Sequence, residues 1–122
     1  MNPPLKNQTQ LLEMARVMGV ASGAKQVILF GSTARGEATE DSDLDFLLVI
    51  ADEDWKWNSK TLEKLEPAMK AREAVRKAGY WMSLDVLPLP EIRYNDPNSY
   101  LASEVQRDGI VLFEKGHNHG RL

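Results

Sequence analysis

The chain has 122 residues, 43% of them hydrophobic, with no cysteine, a net charge of −3 and a pI near 5.4. That length suits one domain over residues 1–122 with a real core, and the lack of cysteine excludes disulfides, zinc–thiolate sites and a cysteine nucleophile. Basic residues are interleaved with acids, as in EKLEPAMKAREAVRKAG, which reads as a solvated helix face and not as a groove tracking a long nucleic acid.

In chain order, MNPPLKNQ lacks the apolar core of a secretory signal, and no later apolar run has the length of a membrane span, so a cytosolic protein is expected. TQLLEMARVMGV places Leu11, Leu12, Ala15 and Met18 at helical spacing, predicting a helix from Gln8 to Met18. After the turn SGAK, QVILF is a short apolar run of the kind found in central strands. Gly31 ends it. The polar STARGEATEDS has room for one helical turn, and LDFLLVI is a second buried strand. Ser59 to Ala78 are strong helix formers, with Leu62, Leu65, Met69 and Val75 near one face, and Pro67 predicts a kink or two shorter helices. YWMSLDVL is a third strand closed by Pro88 and Pro90. DPNSYLASEVQRDG is a helix with Asp96 as its cap, and IVLF is a last strand. The fold class is α/β with a small mixed sheet and helices packed on it.

The segment GSTARGEATEDSDLD carries the chemistry. Alternation along a strand puts Asp43 and Asp45 on one side and Leu44, Phe46, Leu48 and Ile50 on the other. Two like charges so close repel, and a divalent cation such as Mg²⁺, which takes carboxylate oxygens, relieves the conflict. The bland reading is a solvated loop end, since DSDLD is also turn material. Asp85 tips the balance, because it sits in the apolar WMSLDVLPL, where an unpaired buried charge is expensive. Its own bland readings are an exposed edge strand or a salt bridge. Three carboxylates from two strands at one sheet edge would make a two-metal phosphoryl-transfer site. Gly31 lets the backbone approach a ligand closely, and Ser32 adds a hydroxyl and an amide for phosphate oxygens.

LFGSTARGEATEDSDLDFLLVI followed by SLDVLPL resembles the nucleotidyltransferase superfamily that includes DNA polymerase beta: an apolar strand, G-S, a spacer, D-x-D in a strand, and a third acid on a later strand. Within it the chain looks most like the minimal nucleotidyltransferases, over roughly residues 10–115. The resemblance implies that Gly31 and Ser32 hold the β- and γ-phosphates of a nucleoside triphosphate and that Asp43 and Asp45 bind two Mg²⁺ ions. It also implies that Asp85 completes the second metal site and helps deprotonate an acceptor hydroxyl. Arg35 and Ser42 are candidate nucleotide-binding residues that equally suit loop stabilisation. The implied reaction moves AMP from ATP to a hydroxyl of a partner protein, as in antitoxins paired with HEPN-domain toxins.

Two features depart from the compact members. The connection from Ala51 to Gly79 is long, and no second domain is evident to bind a large acceptor. Trp55 and Trp57 in that connection suit base stacking, packing or a partner surface. The other functions to be weighed are a small-molecule nucleotidyltransferase of the aminoglycoside type and a non-catalytic antitoxin that acts by contact. His117 and His119, near the C-terminus, read as solvent-exposed. A homodimer or hetero-oligomer is expected, since a small open sheet leaves an edge to cover.

Overall fold

The computed structural model describes residues 8–37, 39, 42–55 and 66–116. The elements are α1 (Gln8–Ser22), β1 (Gln26–Phe30), α2 (Gly31–Ala34), β2 (Leu44–Ile50), a 3-10 turn (Asp52–Asp54), α3 (Glu66–Lys77), β3 (Leu84–Pro90), α4 (Glu91–Tyr94), α5 (Tyr100–Asp108) and β4 (Ile110–Glu114). The four strands form one mixed sheet in the order β3-β2-β1-β4. β1 runs antiparallel to β2 and β4, and β2 runs parallel to β3. No described helix is long and apolar enough to cross a membrane.

QVILF and LDFLLVI are central because both of their faces are covered. Val27, Leu29, Leu44, Phe46, Leu48 and Ile50 point into the larger core, beneath α1 and α3. Ile28, Leu47 and Val49 point the other way, into a smaller core closed by Val105 of α5 and by Tyr94 and Leu101. Full burial of one such side chain, Phe46 for example, is worth about 2–3 kcal/mol. The connection between β2 and β3 returns across the larger core, as a parallel pair requires.

Several local expectations are corrected by packing. The first helix runs on to Ser22, four residues past Met18. Leu12 is 50% exposed because Leu11, Met14, Ala15 and Met18 already fill the buried stripe. Met69 is 66% exposed, since α3 turns its small residues Ala68 and Ala71, with Val75, toward α1. Pro67 lies in the first turn of α3, where its missing N–H is not needed, and the residues before Glu66, on which the expected kink or pair of shorter helices depends, lie outside the described residues. Leu62 and Leu65 lie outside the described residues. Trp55 packs against the larger core, while Trp57 also lies outside the described residues.

Ser99, not Asp96, caps α5. Its hydroxyl accepts the Ala102 N–H at 3.1 Å, and Asp96 instead accepts from the Asn98 N–H in the preceding turn. Replacing Ser99 by alanine is expected to cost about 1 kcal/mol, read as a lower midpoint in urea unfolding, whereas Asp96→Ala should cost less.

β3 is an edge strand. It contains Pro88 and Pro90 instead of ending before them, which only an edge position tolerates well. On the opposite side of the sheet, Gly109 follows α5 at φ −74°, so it needs no special backbone freedom. A Cβ there would press on the Val105 carbonyl and on Ile28, so it is space that calls for glycine.

Candidate active site

The candidate residues gather where β1 ends and where β2 and β3 begin. β1 delivers the chain at Phe30, and Gly31 turns it into α2 with φ +78°, a left-handed conformation that glycine adopts without strain. The antiparallel register sets Phe30 opposite Asp45. The turn therefore folds onto the Asp45 side chain, and a Cβ added at Gly31 would land on its Oδ2. Here a close backbone approach and a positive φ both demand glycine.

The parallel register sets Asp45 directly beside Asp85. Leu44 and Leu84, one residue earlier, are buried in the larger core, so by alternation both carboxylates emerge from the other side of the sheet. Asp45 is half-buried and Asp85 is exposed. The edge position spares Asp85 the burial cost that its apolar neighbours suggested in the sequence, yet it still faces Asp45.

Asp43 lies just before β2, is exposed, and acts on Asp45 through its charge. Among the described residues no three acidic or histidine side chains form a ready-made metal cluster. Asp45 and Asp85 are brought together, and Asp43 stands nearby in solvent.

The Asp45 carboxyl titrates above the usual carboxylate range. Partial burial is the largest cause, followed by the charges of Asp85 and Asp43 and a hydrogen bond with Asp85, while Arg35 pulls the other way. A folded-state value above the unfolded one means that the folded protein holds the proton more tightly. This contribution to stability is present in acid and is lost as pH rises from the ordinary carboxylate value through the raised one. We expect thermal melts of the metal-free protein to show that loss across this window, and Asp45→Asn to abolish it. A pH dependence identical in the two proteins would refute the assignment.

Ser32 is half-buried in the first turn of α2, and its carbonyl accepts the Glu37 N–H at 2.8 Å. Arg35 is exposed, and its Nε donates to Glu37 Oε1 at 3.0 Å. The charges of Asp108 and Glu104 on α5 also act on Arg35, and Arg35 in turn acts on Asp45. Ser42 is turned into its own loop, where its hydroxyl accepts the Thr39 N–H at 2.9 Å. His117 and His119 lie outside the described residues.

The donor set fits a hard divalent cation. All of its ligating atoms are carboxylate oxygens, and the charges of Asp45 and Asp85 oppose one another, a repulsion that such an ion relieves. Any side chain at Gly31 would press on the Asp45 carboxylate, so glycine there is what lets that donor keep its place.

Sequence reading passed over Trp81, treated there as part of a strand. It is 73% exposed, just upstream of β3. Periodicity does not tell an exposed tryptophan from a core one.

A family model described as a nucleotidyltransferase domain matches residues 16–95. No curated protein matches the chain in sequence. Among solved structures, the chain is similar to one described as a toxin–antitoxin with AMP-PNP, with a TM-score of 0.52 and 19% identity over 90% of this chain and 75% of that one. It is also similar to a candidate nucleotidyltransferase from Sulfolobus solfataricus, with a TM-score of 0.51 and 19% identity over 94% of this chain and 90% of that one. At these identities the two structures speak for the fold alone.

Proposed function

We propose, from the premise that this chain belongs to the nucleotidyltransferase domain family, that it transfers AMP from ATP to a hydroxyl of a partner protein with the help of Mg²⁺. The observation that carries this reading is the in-register pairing of Asp45 with Asp85 beside a glycine that admits nothing larger than hydrogen. Two adjoining carboxylates on neighbouring strands are unfavourable in a resting fold and useful in phosphoryl transfer.

In this reading Gly31 and Ser32 hold the β- and γ-phosphates, through backbone amides and the Ser32 hydroxyl. Asp43 and Asp45 would hold the magnesium ions with the triphosphate, and Asp85 would complete the second ion's ligands. The chemistry supplied by bound magnesium is neutralisation of phosphate charge and a lower pKa for the attacking hydroxyl. Asp85, facing Asp45 from the exposed edge, takes the hydroxyl proton. The hydroxyl oxygen bonds to the α-phosphorus, the bond from that phosphorus to the bridging oxygen breaks, and pyrophosphate leaves in line with the attack. Arg35 would exchange Glu37 for a phosphate oxygen as the site fills. Ser42 supports the loop that presents Asp43.

The partner assignment, an antitoxin acting on a HEPN-type toxin, draws on the sequence resemblance and on the toxin–antitoxin described for one structural relative. The test incubates the protein with Mg²⁺, α-labelled ATP and the product of the neighbouring gene. Label on that product, lost in the Asp43→Ala, Asp45→Ala variant, is the expected outcome. If ATP binds normally but no label transfers, the proposed acceptor is wrong. If the double variant still neutralises the neighbour's toxicity, the protein acts by contact.

A further inference from the structure

Thr33, in α2, is the one buried polar residue among the described residues, at 1% exposure, and its hydroxyl has no hydrogen-bond partner among them. Even the Leu29 carbonyl four residues back, which a helical threonine often uses, does not serve it. A buried hydroxyl is ordinarily bonded, and one left unpaired weakens the fold that contains it. Valine has the same shape without the polar atom, so packing alone does not call for threonine here. In this structure the hydroxyl costs stability and returns nothing.

Its place in the chain gives the hydroxyl a meaning. α2 lies against β1, β2 and α5, which enclose Thr33, while Gly31 and Ser32 are half-buried and Arg35 is exposed. Three backbone hydrogen bonds tie the stretch together. The Arg35 N–H donates to the Gly31 carbonyl at 3.2 Å, the Gly36 N–H to the Thr33 carbonyl at 3.1 Å, and the Glu37 N–H to the Ser32 carbonyl at 2.8 Å. A phosphate that draws on Gly31, Ser32 and Arg35 therefore moves Thr33 in the same step. Packed interiors hold discrete arrangements, and a hydroxyl needs an acceptor within about 3 Å, so a small shift of the turn decides whether it is met.

We propose that Thr33 is a positioning residue of the phosphate cradle, whose hydroxyl gains an acceptor from the enclosing elements when the turn from Gly31 to Glu37 closes on a triphosphate. The inference rests on the nucleotidyltransferase reading above and deepens it. The free protein carries an unmet hydroxyl, and binding of phosphate relieves it. Part of the ligand's affinity is thus held as lower stability of the free protein.

The test compares wild type, Thr33→Val and Thr33→Ser in thermal melts without ligand and in titrations with Mg²⁺ and either ATP or tripolyphosphate, which lacks base and ribose. Thr33→Val should melt higher, by about 4 °C, because the unmet hydroxyl is gone. Its affinity for both ligands should fall about tenfold, the scale of one hydrogen bond. Thr33→Ser keeps the hydroxyl and should bind both ligands as wild type does, even with a lower melt for want of the methyl. A threonine that only supports the fold would move stability and affinity in the same direction, so the opposite signs carry the proposal. Thr33→Val melting no higher than wild type overturns it, because the hydroxyl is then already partnered in the free protein. A higher melt with unchanged affinity overturns it too, and so does a loss confined to ATP, which would place the effect at the base or ribose. Wild type binding neither ligand would instead sink the nucleotidyltransferase reading, and the coupling with it.

Discussion

Asp45→Asn is expected to lower nucleotidyl transfer by at least about a thousandfold while leaving the metal-free protein as stable as wild type or more so. The two effects have one origin. Asp45 lies directly beside Asp85 in the parallel register, half-buried, and its ionised form is opposed by burial and by the neighbouring acids. Asparagine keeps the shape and removes the charge, so the repulsion disappears along with the ability to share a cation. Pyrophosphate release with ATP, Mg²⁺ and acceptor measures the first effect, and a melt without metal measures the second. Most surface substitutions move stability by less than about 0.5 kcal/mol, so the dissociation of activity from stability is the informative result. A variant that retains activity would remove Asp45 from the chemistry. A variant that melts well below wild type would mean that the carboxylate has a structural role the pairing does not reveal.

Gly31→Ala is expected to damage both properties. A φ of +78° costs a non-glycine residue about 1–2 kcal/mol, and the new methyl would meet the Asp45 carboxylate as well. The protein must then turn Asp45 away or displace α2, and either adjustment spoils the cradle and the acid pair together. The midpoint of unfolding should fall, and ATP binding should weaken further than the lost stability explains. Gly36→Ala is the control, because Gly36 shares the positive φ but has nothing within 4 Å of its added Cβ. Gly36→Ala should therefore show the backbone cost without the loss of binding. If both variants bind ATP equally well, closeness to Asp45 is irrelevant to the site.

Much of this protein was legible in its residues. The apolar runs QVILF and LDFLLVI, too short for helices and bounded by turn residues, marked strands covered on both faces. The two-residue period of a strand was enough to put Leu44, Phe46, Leu48 and Ile50 together in one core. Gly31 and Ser32 after a strand are by themselves ordinary turn residues, and the aspartate pair at the start of the next strand is what marked them as a close-approach turn.

Tertiary structure alone decided the rest, because it depends on partners far away in the chain. Which strand flanks β2 is a pairing between residues forty positions apart, Asp45 and Asp85, and no local pattern encodes it. The burial of Leu11 and exposure of Leu12, and the outward turn of Met69, depend on which stripe of a helix meets its neighbour. Asp96 and Ser99 are both good cap residues, and the packing of α5 selected the second. Trp81 stands in solvent because Arg76, on another element, holds its loop there. Side-chain chemistry and alternation are properties of a chain segment, whereas register, edge position and exposure belong to contacts that exist only once distant segments have packed.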